Sequence, residues 1–188
     1  MTPFSRELLD FWFGPSPHAA RNEWFRKDAL FDATIRARFG SALEAALAGA
    51  NPPPRGDAFD ALARVVLLDQ FTRNAFRDTP RAFSGDPLAL ATAIAVVDAG
   101  GDALFDRFER LFLYLPFEHA EDLAVQERSI ALFRRLASDI GDSDQLVWAE
   151  KHAAIIRRFG RYPHRNAILG RASTPEEIAF LGQPGSRF

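Results

Sequence analysis

Four ionisable side chains fall within five positions in Glu118-His119-Ala120-Glu121-Asp122, directly after the apolar run Leu111 to Leu115. A histidine beside carboxylates is the residue set of general acid–base chemistry, in which the imidazole carries the proton and a carboxylate orients it. A second imidazole, His152, lies further along the chain, and Leu68-Asp69-Gln70-Phe71-Thr72-Arg73-Asn74 adds a third polar group. The loop Arg161-Tyr162-Pro163-His164-Arg165-Asn166, with Arg171 beyond it, concentrates positive charge of the kind that holds an anion. Loops are where positioned functional side chains concentrate. The plainer reading of that loop is that Arg161 and Arg165 neutralise helix C-terminal carbonyls and Asn166 caps a turn.

Helical geometry, at about 100° per residue, places these groups on faces. With Pro116 ending one helix and the next starting at Glu118, His119, Asp122, Gln126 and, less centrally, Glu118 share a sector with Leu123, Ile130 and Phe133. Glu121 falls with Glu127, Arg128, Arg134 and Arg135 on the opposite, solvated side. In a helix from Asp57 to Phe71, the face of Phe59, Leu62, Ala63 and Val66 is extended by Gln70 and Arg73. Apolar residues cover most of the remaining circumference, so this helix is buried nearly all round. His152 sits between Trp148, Ile155, Ile156 and Phe159 on a helix that begins at Ser143 or Asp144. Burying an unpaired polar group costs about 1–3 kcal/mol, so these groups must meet each other or a ligand. Two readings follow. One is an internal hydrogen-bond network, in which Asp69 and Arg73 pair as i,i+4 neighbours. The other is a cleft lined by His119, Asp122, Gln126, His152, Gln70 and Arg73.

The elements that would position these groups are all helical. Thr2-Pro3 caps and starts a helix ending at Phe13, before Gly14. Another runs from near Asp28 to Phe39, with Gly40 as its stop and Ser41 capping a further helix to Ala48. Asn51-Pro52-Pro53-Pro54-Arg55-Gly56 reads as a loop, the one stretch resembling a linker. Asp86-Pro87 starts a helix that ends at Gly100-Gly101, and Asp102 to Leu115 forms the next. Phe159-Gly160 closes the His152 helix, and Asn166 caps a turn ending at Gly170. Thr174-Pro175-Glu176-Glu177 is a capping box. No segment alternates with a strand period. Eight or nine helices in antiparallel pairs, as one all-α domain over residues 1–188, is the expected architecture.

The composition closes off other classes. The chain has 188 residues, 47% hydrophobic and 26% charged, with formal net charge −2, so no strong field draws it to nucleic acid or anionic lipid. It has no cysteine, which excludes disulfides, thiolate nucleophiles and cysteine-held metal. No apolar run is long enough to span a bilayer, and no secretory signal is visible at the N-terminus, so a cytoplasmic location is expected. No His-Glu-x-x-His or Glu-x-x-His pair is present, so no metal site is expected. Eighteen phenylalanines against one methionine suggest helices joined at their tips by aromatic plugs, as at Phe39-Gly40 and Phe159-Gly160.

Three stretches, Leu68 to Asn74, Tyr114 to Asp122 and Arg158 to Asn166, resemble the signatures of a bacterial family named for the "domain of unknown function 924". Leu9-Asp10-Phe11-Trp12-Phe13-Gly14, Leu169-Gly170-Arg171 and Ser173 to Glu177 match as well, so the resemblance spans essentially the whole chain. Thr72 stands where that family usually has proline, and Ala120 where serine is common. The resemblance implies a tetratricopeptide-like all-helical fold and no established activity or cofactor.

Two functions compete on these grounds. The first is a binding module whose polar-lined cleft takes a peptide, a partner protein or a small anionic ligand, with Gln70, Arg73, Asn74, Glu118, Gln126, Arg161, His164 and Arg165 as binding residues. The second is a small-molecule enzyme with His119 or His152 as general acid/base, Asp122 or Glu118 orienting it, and arginines holding an anionic substrate. No nucleophile elbow or phosphate loop is present.

Overall fold

The computed structural model describes residues 1–50 and 56–186. Most of the expected Pro-rich loop, residues 51–55, lies outside the described residues. Among those described there is no strand, and the helices number eight once the interrupted one is counted as a single rod. Among the described residues no helix is long and apolar enough to cross a membrane. The chain divides into two compact units. One comprises Met1–Arg77 and Arg81–Phe117, the other Asp78–Pro80 and the chain from Glu118 onward.

In the first unit, α1 (Pro3–Phe13) starts as expected: Thr2 accepts the Ser5 N–H, Pro3 sits in the first turn, and Gly14 takes φ 78° to end it. The Met1 amino group pairs with Asp57, and the Thr2 N–H donates to Asp60 at 2.7 Å, which ties α1 to the start of α3 (Ala58–Val65). Helix α2 (Ala29–Leu47), capped by Asp28, runs straight through Gly40. The expected stop there is corrected: Gly40 has no left-handed φ, and Phe39 is buried in the core rather than plugging a helix tip. A single glycine costs a helix only about 1 kcal/mol, and the burial of Ile35, Phe39 and Leu43 on one continuous stripe outweighs it.

Helix α3 does not simply continue. It passes into a π-helical turn, Val66–Phe71, and then into α4 (Thr72–Ala75). A π turn lengthens the hydrogen-bond step and strains backbone pairing. Two side chains attend to it here. The Thr72 hydroxyl donates to the Leu68 carbonyl at 2.7 Å, and Arg73 donates to the Asp69 carbonyl at 2.6 Å. Gly85, just before α5 (Asp86–Asp98), lies against this turn so closely that a Cβ would fall 2.0 Å from the Leu68 carbonyl oxygen. All six residues of the π turn are buried, as the apolar circumference of this stretch implied. Trp12, Phe71 and Phe112 form the centre of this core, with the Trp12 and Phe112 rings edge-to-face at 5.2 Å.

Helix α6 (Arg107–His119) contains Pro116 and continues past it. The expected break at the proline is therefore corrected: the chain turns three residues later, and α7 (Leu123–Ile140) is capped by Asp122. In the second unit α7 and α8 (Asp144–Phe159) form an antiparallel hairpin through Gly141, and Gly160 ends α8 with φ 69°. Ile155, Ile156 and Tyr162 form a core cluster with Phe159 and Phe180 against it, so the aromatic plug at the end of α8 is present. Helix α9 (Pro175–Leu181) carries the expected capping box of Thr174 and Glu177. The α7–α8 hairpin is compatible with the helix pairs of a tetratricopeptide-like array.

Candidate functional site

The last turn of α6 supplies Glu118 and His119, and the break that follows leaves its final carbonyls without helical partners. Gln126, fully buried on α7, answers that need: its side-chain amide donates to the carbonyls of Glu118 (2.7 Å) and Ala120 (2.8 Å) and to the Tyr162 hydroxyl (2.9 Å). The Tyr162 hydroxyl in turn donates to the Glu118 carbonyl at 2.5 Å. Burial holds the Tyr162 phenol well above its usual range, so it stays protonated as that donor requires.

Against this joint sits the pair that could do chemistry. The Nδ1 of His152 lies 2.9 Å from the Trp148 carbonyl and 3.2 Å from a carboxylate oxygen of Glu118, and both residues are buried. A carbonyl only accepts, so the hydrogen resides on Nδ1 and the lone pair on Nε2. Burial lowers the His152 pKa to about 3; the Trp148 carbonyl opposes this, while the charges of His119, His164 and Arg165 reinforce it. Burial likewise takes His164 down to about 4, with Arg165 the next cause. Both rings are therefore neutral at pH 7. The Glu118 carboxylate, when ionised, works in the other direction and is the anion placed to steady an imidazolium at His152.

The surrounding charges are matched. Arg171 makes two hydrogen bonds to Glu121, at 2.6 and 2.9 Å, and the Tyr162 N–H donates to the same carboxylate. Burial raises the Glu121 pKa, but these donors outweigh it and leave a net lowering. Arg161 binds Glu177 through two nitrogens at 2.7 and 2.9 Å and also donates to the Ala172 carbonyl. The Arg161 hydrogen bond, aided by the Thr174 N–H, takes Glu177 down to about 2. The Arg165 guanidinium is buried 4.7 Å over the Tyr162 ring. Asn166, wholly buried, accepts from Arg171 and donates to Ser173.

Several expected placements are corrected. Asp122 does not face inward: it is exposed and accepts the Val125 N–H as the N-cap of α7. Glu121, expected in solvent, is instead half-buried on Arg171. Both errors come from drawing one helix where the chain makes a corner, since His119 ends α6 and Gln126 belongs to α7. The anion-favouring density of Arg161 and Arg171 is met by Glu177 and Glu121. Gln70, Arg73 and Asn74 are satisfied within the first unit. Gln70 donates to Asp69, Arg73 pairs with Asp69 and Asp86, and Asn74 donates to Asp32, which Arg77 also holds. Tyr162 was not expected in the site. Its only sequence signal is a polar-tipped ring next to Pro163 in a loop. Surface pockets of about 770 and 290 Å³ are lined by residues of the first unit, including Arg6, Asp10 and Arg38 in one and Arg21, Asp28 and Phe31 in the other.

Comparison with known proteins places this geometry in a family. A solved protein of unknown function from Agrobacterium tumefaciens, ATU0120, is 40% identical and has a TM-score of 0.82, with 95% of this chain and 97% of that one covered. No curated protein matches. The family model described as "Bacterial protein of unknown function (DUF924)" matches residues 8–185, and with nearly the whole chain matched, the protein belongs to that family.

Proposed function

We propose that the second unit carries a general acid–base site acting on a small molecule, with His152 as the proton carrier and Glu118 as its orienting carboxylate. The observation that supports this most is the contact of His152 Nδ1 with both the Trp148 carbonyl and Glu118, which sets the tautomer and leaves the Nε2 lone pair as the basic position. Of the catalytic candidates named from the sequence, His152 has a carboxylate oxygen, that of Glu118, within 3.2 Å. The low basicity of His152 costs driving force for proton transfer, and Glu118 recovers part of it as the ring becomes charged. Capture of an anionic ligand or peptide is less well supported, because Arg161 and Arg171 are engaged by carboxylates.

The direct test compares wild type, His152→Gln and Glu118→Gln on a panel of chromogenic esters, phosphoesters and glycosides. General acid–base catalysis contributes on the order of a hundredfold or more, so a wild-type turnover should fall by that factor in His152→Gln. Equal rates in three folded proteins would exclude the site. Nitrogen NMR of the imidazoles is the second test: a positively charged His152 at pH 7 is incompatible with a resting base.

A further inference from the structure

We propose, on the reading of His152 and Glu118 given above, that Gln126 and Tyr162 are positioning residues for the acid–base pair. Together they hold the chain at Glu118 where its carboxylate meets His152. The two members of the pair come from different elements, Glu118 from the last turn of α6 and His152 from the middle of α8. Their contact at 3.2 Å therefore depends on whatever fixes the chain at Glu118 relative to α8. A displacement of about 1 Å can cost roughly a hundredfold in rate.

Both residues act on one atom. The Glu118 carbonyl oxygen accepts from the Gln126 amide at 2.7 Å and from the Tyr162 hydroxyl at 2.5 Å, two donors for its two lone pairs. The donors come from α7 and from the turn that follows α8. They are also joined to each other, because the Gln126 amide donates to the Tyr162 oxygen at 2.9 Å. The three atoms close a triangle of hydrogen bonds, and the carbonyl in it adjoins the Cα that carries the Glu118 side chain. The same amide reaches the Ala120 carbonyl at 2.8 Å, which extends the hold around the corner.

Tyr162 also touches the other member of the pair. Its ring meets the His152 ring edge-to-face, with centroids 5.7 Å apart and planes at 79°. With Nδ1 on the Trp148 carbonyl, that contact limits how far the imidazole can turn. The backbone of Tyr162 is tied to the corner as well: its N–H donates to Glu121, its carbonyl accepts from Arg171, and Arg171 grips Glu121. Both Gln126 and Tyr162 are wholly buried, where a hydrogen bond is electrostatically stronger than in water. Capping a helix end asks only that its orphan carbonyls find a donor. A second donor on the Glu118 carbonyl, from a residue that also packs on His152, goes beyond that need.

A double-mutant cycle read on the His152 imidazole tests this, by NMR of the full-length protein. The proteins are wild type, Gln126→Met, Tyr162→Phe and Glu118→Gln, with each of the first two variants also combined with Glu118→Gln. A carboxylate facing an imidazole N–H draws its proton downfield. Gln126→Met and Tyr162→Phe should each move the His152 Nδ1 proton upfield. Once Glu118→Gln has removed the charge, neither should move it further, the coupling that marks action through Glu118. Thr72→Val, which strips a buried hydrogen bond in the first unit, should leave the resonance in place. Tyr162→Phe keeps the shape of its side chain and so keeps the test readable if Gln126→Met folds poorly. A His152 signal unmoved in the folded variants, or moved equally in both backgrounds, overturns the positioning role while the acid–base reading stands. A wild-type His152 protonated on both nitrogens at pH 7 overturns both.

Discussion

Lowering the pH from 7.5 to 5.5 should destabilise the protein through the two buried histidines of the second unit, and the size of the effect follows from their environment. An unfolded histidine titrates near 6.5, whereas His152 and His164 titrate at about 3 and about 4 in the fold. Between those limits the unfolded chain binds more protons than the native one, so stability rises with pH and is lost as pH falls from 6.5 toward the folded values. At pH 5.5 each ring contributes a loss of roughly 1 to 2 kcal/mol, and the pair about 3 kcal/mol, out of a total stability of about 5–15 kcal/mol. The carboxylates Glu177, Glu121 and Asp32, whose pKa values are lowered, withdraw their contribution mainly below the ordinary carboxylate range, so they leave this window nearly untouched. Glu109 acts with the opposite sign, since its raised pKa favours the fold as pH drops. The assay is urea denaturation at the two pH values for wild type, His152→Gln, His164→Gln and the double variant. The double variant should lose most of the pH dependence. A wild-type stability equal at both pH values to within the error of the method would refute the reasoning.

Three further perturbations probe the packing. Gly85→Ala should destabilise by about 1–3 kcal/mol or more, read from the urea midpoint, because its Cβ would meet the Leu68 carbonyl at 2.0 Å and neither backbone can give way cheaply. Thr72→Val keeps the shape but removes the hydroxyl from the buried Leu68 carbonyl, and calorimetry should show a loss of about 1–3 kcal/mol. Tyr162→Phe should cost a similar amount, about 1–3 kcal/mol, by stripping a 2.5 Å hydrogen bond from the Glu118 carbonyl. Unchanged stability in that variant would mean that Gln126 alone sustains the corner.

The parts of the fold legible in the sequence are those with local signals. Thr2-Pro3, Asp28 and Thr174-Pro175 are caps whose side chains bond within three residues, and Gly14 and Gly160 end helices because they take positive φ. The all-helical class followed from these and from periodicity. What was not legible depended on competition between local and tertiary terms. Pro116 carries a breaking signal, yet the helix continues through a wholly buried segment. Asp122 reads as a core-facing acid only if His119 and Gln126 share a helix; as a cap, it faces solvent. His152 was expected on the apolar face of its helix and is buried there, because that helix is regular on both sides. Its partner Glu118 came from another element, and no sequence spacing fixes that contact. The acid–base candidates were therefore identified by type, and their pairing by structure.

The π turn at Val66–Phe71 fixes the length of its helix. One extra residue in that turn shifts everything downstream by about 100°, so the rod carries two rotational phases rather than one. Before the shift, Leu62 and Val65 face the core; after it, Asn74 and Arg77 come round to grip Asp32. A single-residue deletion within 66–71 would restore a regular helix and swing Asn74 and Arg77 away from that carboxylate, leaving a buried aspartate without its donors. Length at this position is thus constrained even where side-chain identity is not, and a chain one residue shorter there would have to rebuild the Asp32 contact from another element.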